Sequence, residues 1–240
     1  MILRLALASL FARALTVGMT ILAIALSVAL FLGVEKIRIS AKASFTNTIS
    51  GTDLIVGARS GSVQLLLYSV FRIGNATNNL TWQSYQDIAA RADVAWAVPI
   101  SLGDSHRQFR VMGTTVAFFE HYKYRKRRPL ALTDGVIISD LFDTVVGSDV
   151  AKTLKYSVGD PIIIAHGLAS FTEHKDQPFR VSGILEKTGT PVDRTVIVNM
   201  EAIEAIHVDW KSGAKTPGQS TPVDVIRRMD LTPKAVTAAL

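Results

Sequence analysis

ALTVGMTILAIALSVALFLGV, residues Ala14 to Val34, is an uncharged apolar run bounded by Arg13 and Glu35, and it governs how the following sequence is read. A helix over it, rising ~1.5 Å per residue, is ~31 Å long and matches a hydrocarbon core of ~30 Å. Its Leu, Ile, Val and Phe side chains, at about −0.3 to −0.6 kcal/mol each, together favour insertion by roughly 3 to 6 kcal/mol. The alternative is a secretory signal peptide with Arg4 and Arg13 as its positive region. Its apolar core would span about 7 to 15 residues, shorter than this run, and no convincing small-x-small cleavage site precedes the return of charge. Positive residues flank the run on both sides, Arg4 and Arg13 before it and Lys36, Arg38 and Lys42 after it, so charge alone does not orient the span.

Outward from this run, Val34, Ile37, Ala41, Phe45 and Ile49 keep the spacing of one helical face, and Gly51 supplies a stop. One helix from Ala14 to Ile49 would be ~54 Å long; the other reading is a linker after Arg38. Strand Asp53–Gly57, a helix capped by Thr81 with Tyr85, Ile88 and Ala89 on one face, and strand Val94–Ile100 follow. Strand Thr195–Asn199, helix Met200–Ile206 and strand Val223–Ile226 repeat that order, and the two units are expected to share a sheet with helices on one face. Between them lie short strands at Gln108–Met112, Val136–Ser139, Pro161–Ala165 and Phe179–Leu185, with turns at Asp134-Gly135 and Gly159-Asp160. Lys211 to Pro222 reads as a polar loop, and Thr232-Pro233 as the cap and first turn of a helix cut short by the chain end.

The chain of 240 residues carries a net charge of +6 and no cysteine, which removes disulfide and thiol chemistry. Lys123, Arg125, Lys126, Arg127 and Arg128 form a basic cluster without an aromatic-and-glycine nucleic-acid motif. It reads as a solvated loop, or as a contact for anionic lipid or a partner's acidic face. Phosphate-cradling, nucleophile-elbow and zinc-helix patterns are absent: GILEKTGT at Gly183–Thr190 has the wrong spacing, and GARSG at Gly57–Gly61 carries Arg where the nucleophilic Ser belongs. His166, Glu173, His174 and Asp176 are the candidate metal ligands, against the plainer reading of a polar hairpin. The expectation is no catalytic residue, no cofactor and no metal. The sequons Asn75-Ala76-Thr77 and Asn79-Leu80-Thr81 read as loop residues.

GSDVAKTL at Gly147–Leu154 followed by Val158-Gly159-Asp160, FRVSGIL at Phe179–Leu185, GTPVDR at Gly189–Arg194 and MEAIEAIH at Met200–His207 resemble the periplasmic domain of MacB/FtsX-like ABC transporter permeases. The layout is also similar to that of LolC/LolE permeases. Ser148 or Asp149 is expected to cap a short helix that buries Val150 and Leu154. The resemblance implies an α+β chain with one N-terminal transmembrane helix and a two-lobed periplasmic domain. Its divisions are a cytoplasmic or interfacial segment at 1–13, the transmembrane helix at 14–34 and a helical stalk at 35–50. A sheet-and-helix lobe follows at 51–104 and 194–240, with a β-rich lobe inserted at 105–193. It further implies an inner-membrane location with the bulk in the periplasm, and three more membrane helices that this sequence lacks, so the chain reads as a fragment or truncated product. The partners it implies are a separate cytoplasmic ABC ATPase, a second permease copy, the bilayer and a periplasmic adaptor. The function implied is transmission of motion from that ATPase to the periplasmic domain for export or extraction of a substrate. The rivals are a single-pass anchored scaffold or binding protein, and an anchored hydrolase with a site near His166, His174 and Asp193.

Overall fold

The computed structural model describes residues 2–74, 76, 78–166, 177, 179–211, 214–216 and 218–240. They form two compact units that meet between Thr46 and Asn47. The first holds α1 (Ile2–Ala12), in the stretch read only as a cytoplasmic or interfacial segment, and most of α2 (Ala14–Thr48), whose last two residues belong to the second unit. The expected helix from Ala14 to Ile49 is thus found to within one residue at its end. Leu22, Ile24, Leu26 and Phe31 are exposed along α2, and the helix is long and apolar enough to cross a membrane. The Thr20 and Ser27 hydroxyls donate to the Thr16 and Ala23 carbonyls at 2.9 and 2.8 Å, so each is paired within the helix.

The second unit contains helices α3 (Ser62–Ser69), α4 (Trp82–Ala89), α5 (Ala117–His121), α6 (Ser148–Leu154), α7 (Met200–Ile206) and α8 (Val223–Ile226). Its strands begin with β1 (Val56–Gly57), β2 (Leu80–Thr81), β3 (Pro99–His106), β4 (Phe109–Thr114), β5 (Lys123–Tyr124) and β6 (Arg128–Pro129). They continue with β7 (Leu132–Gly135), β8 (Asp143–Val146), β9 (Pro161–Ile162), β10 (Ala165–His166) and β11 (Phe179–Leu185). The last are β12 (Thr195–Asn199), β13 (Trp210–Lys211), β14 (Ala214–Lys215), β15 (Ala235–Val236) and β16 (Ala238–Ala239).

Among the described residues the main sheet runs β1-β16-β3-β4-β12-β8-β11-β7, with β10 added to β3 and β9 to β11. The β12–β4 and β11–β8 pairs are parallel and the other pairs of this sheet antiparallel. Strands on both sides of residues 104 and 193 take part in it. The sheet carries a core on each face, because successive strand side chains point to opposite sides. Val196 and Val198 of β12, with Phe109 and Val111 of β4, meet Val150 of α6, Ala202 and Ile206 of α7, and Ile226 of α8. Ile197 and Met112 turn the other way onto Phe118 and Phe119 of α5, Tyr122 and Leu185. Helices therefore cover both faces, not one as expected, because strands this apolar need shielding on each side.

Several segments differ from their sequence reading. Val136–Ser139 is not a strand; the strand is β7, Leu132–Gly135, which takes in the Asp134-Gly135 read as a turn, and the loop read at Lys211–Pro222 holds β14 and the end of β13. Val223–Ile226 is a helical turn, not a strand, because it faces the sheet through the buried Ile226. The residues after Pro233 are strands β15 and β16, not a helix, since β2 and β3 offer them ladder partners. The strand read at Val94–Ile100 begins only at Pro99, a position where the missing N–H costs no ladder bond.

Candidate functional site: a buried polar joint at the end of the long helix

The end of α2 is held by a hairpin of this same second unit. β5 pairs with β6 through a turn in which Arg125, Lys126 and Arg127 all take left-handed backbone, with φ of 33°, 46° and 64°. Such angles cost non-glycine residues energy and persist only where neighbours fix them. Here the Arg125 amide donates to the Asn47 carbonyl at 2.9 Å, the Arg127 amide to Ser50 Oγ at 3.0 Å, and the Ser50 amide to the Lys123 carbonyl at 3.0 Å. The basic cluster singled out in the sequence is therefore the clamp on the helix terminus, and Gly51, at φ 94°, lets the chain leave it. The Arg125, Lys126, Arg127 and Arg128 side chains are exposed.

Beneath the hairpin a polar chain runs inward. The buried Tyr122 hydroxyl donates a short bond to the Thr48 carbonyl and also meets the Thr190 hydroxyl. Thr190 Oγ1 lies 2.7 Å from Thr188 Oγ1, and Thr188 Oγ1 donates to Asp193 Oδ1 at 2.7 Å. The backbone amides of Thr188 and Gly189 donate to the two Asp193 oxygens at 2.8 and 2.7 Å. Lys187 Nζ then bridges Asp193, at 3.1 Å, and Asp149 on α6, at 2.7 Å. Burial alone pushes the Asp193 carboxyl up. The Thr188 and Gly189 amides, the Thr188 hydroxyl and Lys187 outweigh it, and the group titrates below the ordinary carboxylate range. Burial likewise pushes the Tyr122 phenol up, against the nearby Arg72 charge and the Thr190 contact, so it stays protonated and able to donate.

The GTPVDR segment is thus a turn wound around one carboxylate, with Pro191 opening the short 3-10 turn Pro191–Arg194 and Thr190 accepting at its cap. Gly147 lies so close to the Val192 and Asp193 carbonyls that a Cβ would collide with both. Gly147 itself, not Ser148 or Asp149, is the N-cap of α6; Ser148 Oγ is buried with no hydrogen-bond partner among the described residues, and Asp149 faces Lys187. The expected burial of Val150, with Leu154 packed against the same core, is observed. Tyr122, Thr48 and Arg72 were not singled out in the sequence, because nothing local marks a tyrosine whose acceptor lies 74 residues away.

The candidate metal ligands Glu173, His174 and Asp176 lie outside the described residues, as do Asn75 and Thr77 of the first sequon. The backbone of His166 is in β10, paired with Asp104. Among the described residues no group of His, Asp or Glu could hold a metal ion. Asp193, the third member of the hydrolase reading, spends its lone pairs on the joint. An apolar cleft of ~140 Å³ opens between Thr52–Val56 and Asp93–Ala97, with Ala239 and Leu240 in its wall. Its polar lining residues are Thr52, Asp53 and Asp93.

Among solved structures, the chain is similar to the periplasmic region of MacB from Actinobacillus actinomycetemcomitans, at 12% identity over 81% of this chain and 75% of that one, with a TM-score of 0.44. It is also similar to the extracellular domain of the ABC-type transporter YknZ from Gram-positive bacteria, at 13% identity over 67% and 71% of the two chains, with a TM-score of 0.37. No curated protein sequence matches it. The family model described as the MacB-like periplasmic core domain matches residues 17–224, nearly the whole chain, and the protein belongs to that family.

Proposed function

We propose that this chain is the membrane helix and periplasmic domain of an ABC transporter permease, in which α2 carries motion from a separate cytoplasmic ATPase into the periplasmic domain. The observation that carries this reading is the unbroken course of α2 from Ala14 to Thr48 together with the hydrogen bonds that fix its last residues to the hairpin and to Tyr122. A helix transmits displacement along its axis where a coil absorbs it, and a clamped end delivers that displacement to whatever holds it. On this reading the protein does no chemistry of its own. ATP is hydrolysed in the partner, a second copy completes the permease, an adaptor meets the domain in the periplasm, and the domain engages the cargo.

The test is a Gly-Gly replacement at Arg38 and Ile39 in the full-length permease, between the apolar run and the joint. Two glycines cost about 2 kcal/mol of helix propensity and create a flexible point. The expected result is loss of complementation in a strain lacking the permease, with partner ATP hydrolysis and the thermal unfolding of the periplasmic domain unchanged. Full complementation by the Gly-Gly variant would overturn the reading.

A further inference from the structure

The segment Ser62 to Gly74 buries Tyr68 and Val70, meets β4 through Arg72 and Gly74, and ends in a side chain that fits its surroundings poorly. Arg72 is only 8% exposed. Its Nη2 donates to the Met112 thioether at 3.0 Å, a weak acceptor, while Nε and Nη1 find no acceptor among the described residues. Burial lowers its pKa to about 10, opposed by Tyr122, so the guanidinium is charged at neutral pH. Removing a charge from water without a partner opposes the packed state.

The backbone adds to this. Arg72 sits at φ 60°, left-handed backbone at a helix end that favours glycine. The turn around it is wide: the Phe71 amide donates to Leu66 and the Ile73 amide to Leu67. Outside, Val63 and Ile73 are 69% and 59% exposed, so the segment is bound on one side only. Holding it are the buried Tyr68 and Val70, the Leu65 side chain against Gly57, and Arg110 Nη2 donating to the Gly74 carbonyl at 2.5 Å. Release would hydrate the guanidinium and relax the left-handed residue, at the expense of that apolar contact. The two arrangements therefore oppose each other over a single element.

Tyr122, which shares a core cluster with Met112, the acceptor of Arg72, is also the residue that holds the Thr48 carbonyl. We propose that Ser62–Gly74 is a latch that swings off the sheet, carrying Arg72 into water, when the end of α2 displaces Tyr122. The trigger rests on the lever reading of α2; the opening itself does not.

Hydrogen exchange of the whole chain in lipid nanodiscs tests it, read by mass spectrometry over residues 65–73 and, as reference, over β12. Expected are wild-type exchange of the latch at least about a hundredfold faster than β12, and a rate about tenfold slower in Arg72→Met, which keeps length and removes charge. Arg72→Lys should exchange as wild type, and Tyr122→Phe faster. Latch exchange as slow as β12, or an Arg72→Met latch that exchanges as fast as wild type or faster, overturns the latch. Unchanged exchange in Tyr122→Phe overturns the coupling to α2. A moving latch in a permease indifferent to Gly-Gly at Arg38 and Ile39 would sink the lever alone.

Discussion

Asp193 is 2% exposed and yet more acidic than a free aspartate, because four donors converge on it. A carboxyl depressed by folding adds stability that is complete above its unfolded pKa of about 3.9 and is lost as pH falls through its folded value. Asp193→Asn keeps the shape, removes the charge and turns one oxygen into a donor facing the Thr188 or Gly189 amide. Urea unfolding followed by tryptophan fluorescence at pH 7 should show it about 2 to 3 kcal/mol less stable. The gap between wild type and Asp193→Asn should narrow below about pH 4 and close in stronger acid. A gap independent of pH would mean that the carboxylate charge is not what holds the turn. Asp140 makes a useful contrast. Arg227 holds its carboxyl at about 2 through paired 2.6 Å bonds, but the two side chains are 43% and 41% exposed. Solvent screens such a pair, so Asp140→Asn should cost less than about 1 kcal/mol despite the larger shift.

At the scale of elements, legibility followed how far each segment's pattern outweighed its neighbours. Phe179–Leu185, Thr195–Asn199 and Met200–Ile206 are found with the bounds their sequence predicts, because a β-branched apolar run and an Asn cap before an apolar face each admit one solution. Val223–Ile226 was illegible because four residues with two valines and an isoleucine satisfy both periods. The joint was half legible. GTPVDR stood out as a segment, while its partners Tyr122 and Thr48 come from elements joined only in three dimensions. Gly147 tests how tightly α6 is seated on that turn. Gly147→Ala places a methyl against the Val192 and Asp193 carbonyls and should destabilise the domain by about 1 to 3 kcal/mol. Gly61→Ala, with ordinary φ of −64° and nothing near its new methyl, should stay within about 0.5 kcal/mol of wild type in the same unfolding assay.

For the molecule as a whole, α2 poses the question of solvent. Leu22, Ile24, Val28 and Phe31 among others are exposed along it, and their exposure to water would oppose the helix by far more than its intrinsic propensity favours it. Lipid resolves this, and it requires that the run survive in the mature protein. The absence of cysteine makes the consequence measurable at single sites. Ala12→Cys lies before the apolar run and Lys126→Cys in the exposed hairpin turn, so a single membrane crossing between them places the two thiols on opposite sides. A membrane-impermeant maleimide applied to intact spheroplasts should label Lys126→Cys and should reach Ala12→Cys only after permeabilisation. Intact mass should include the residues before Glu35, and the protein should stay with the membrane through a high-salt wash. Equal labelling at both sites, or a mature chain that starts near Glu35 and washes free, would leave α2 without its bilayer and the periplasmic domain without a path for force from the cytoplasm.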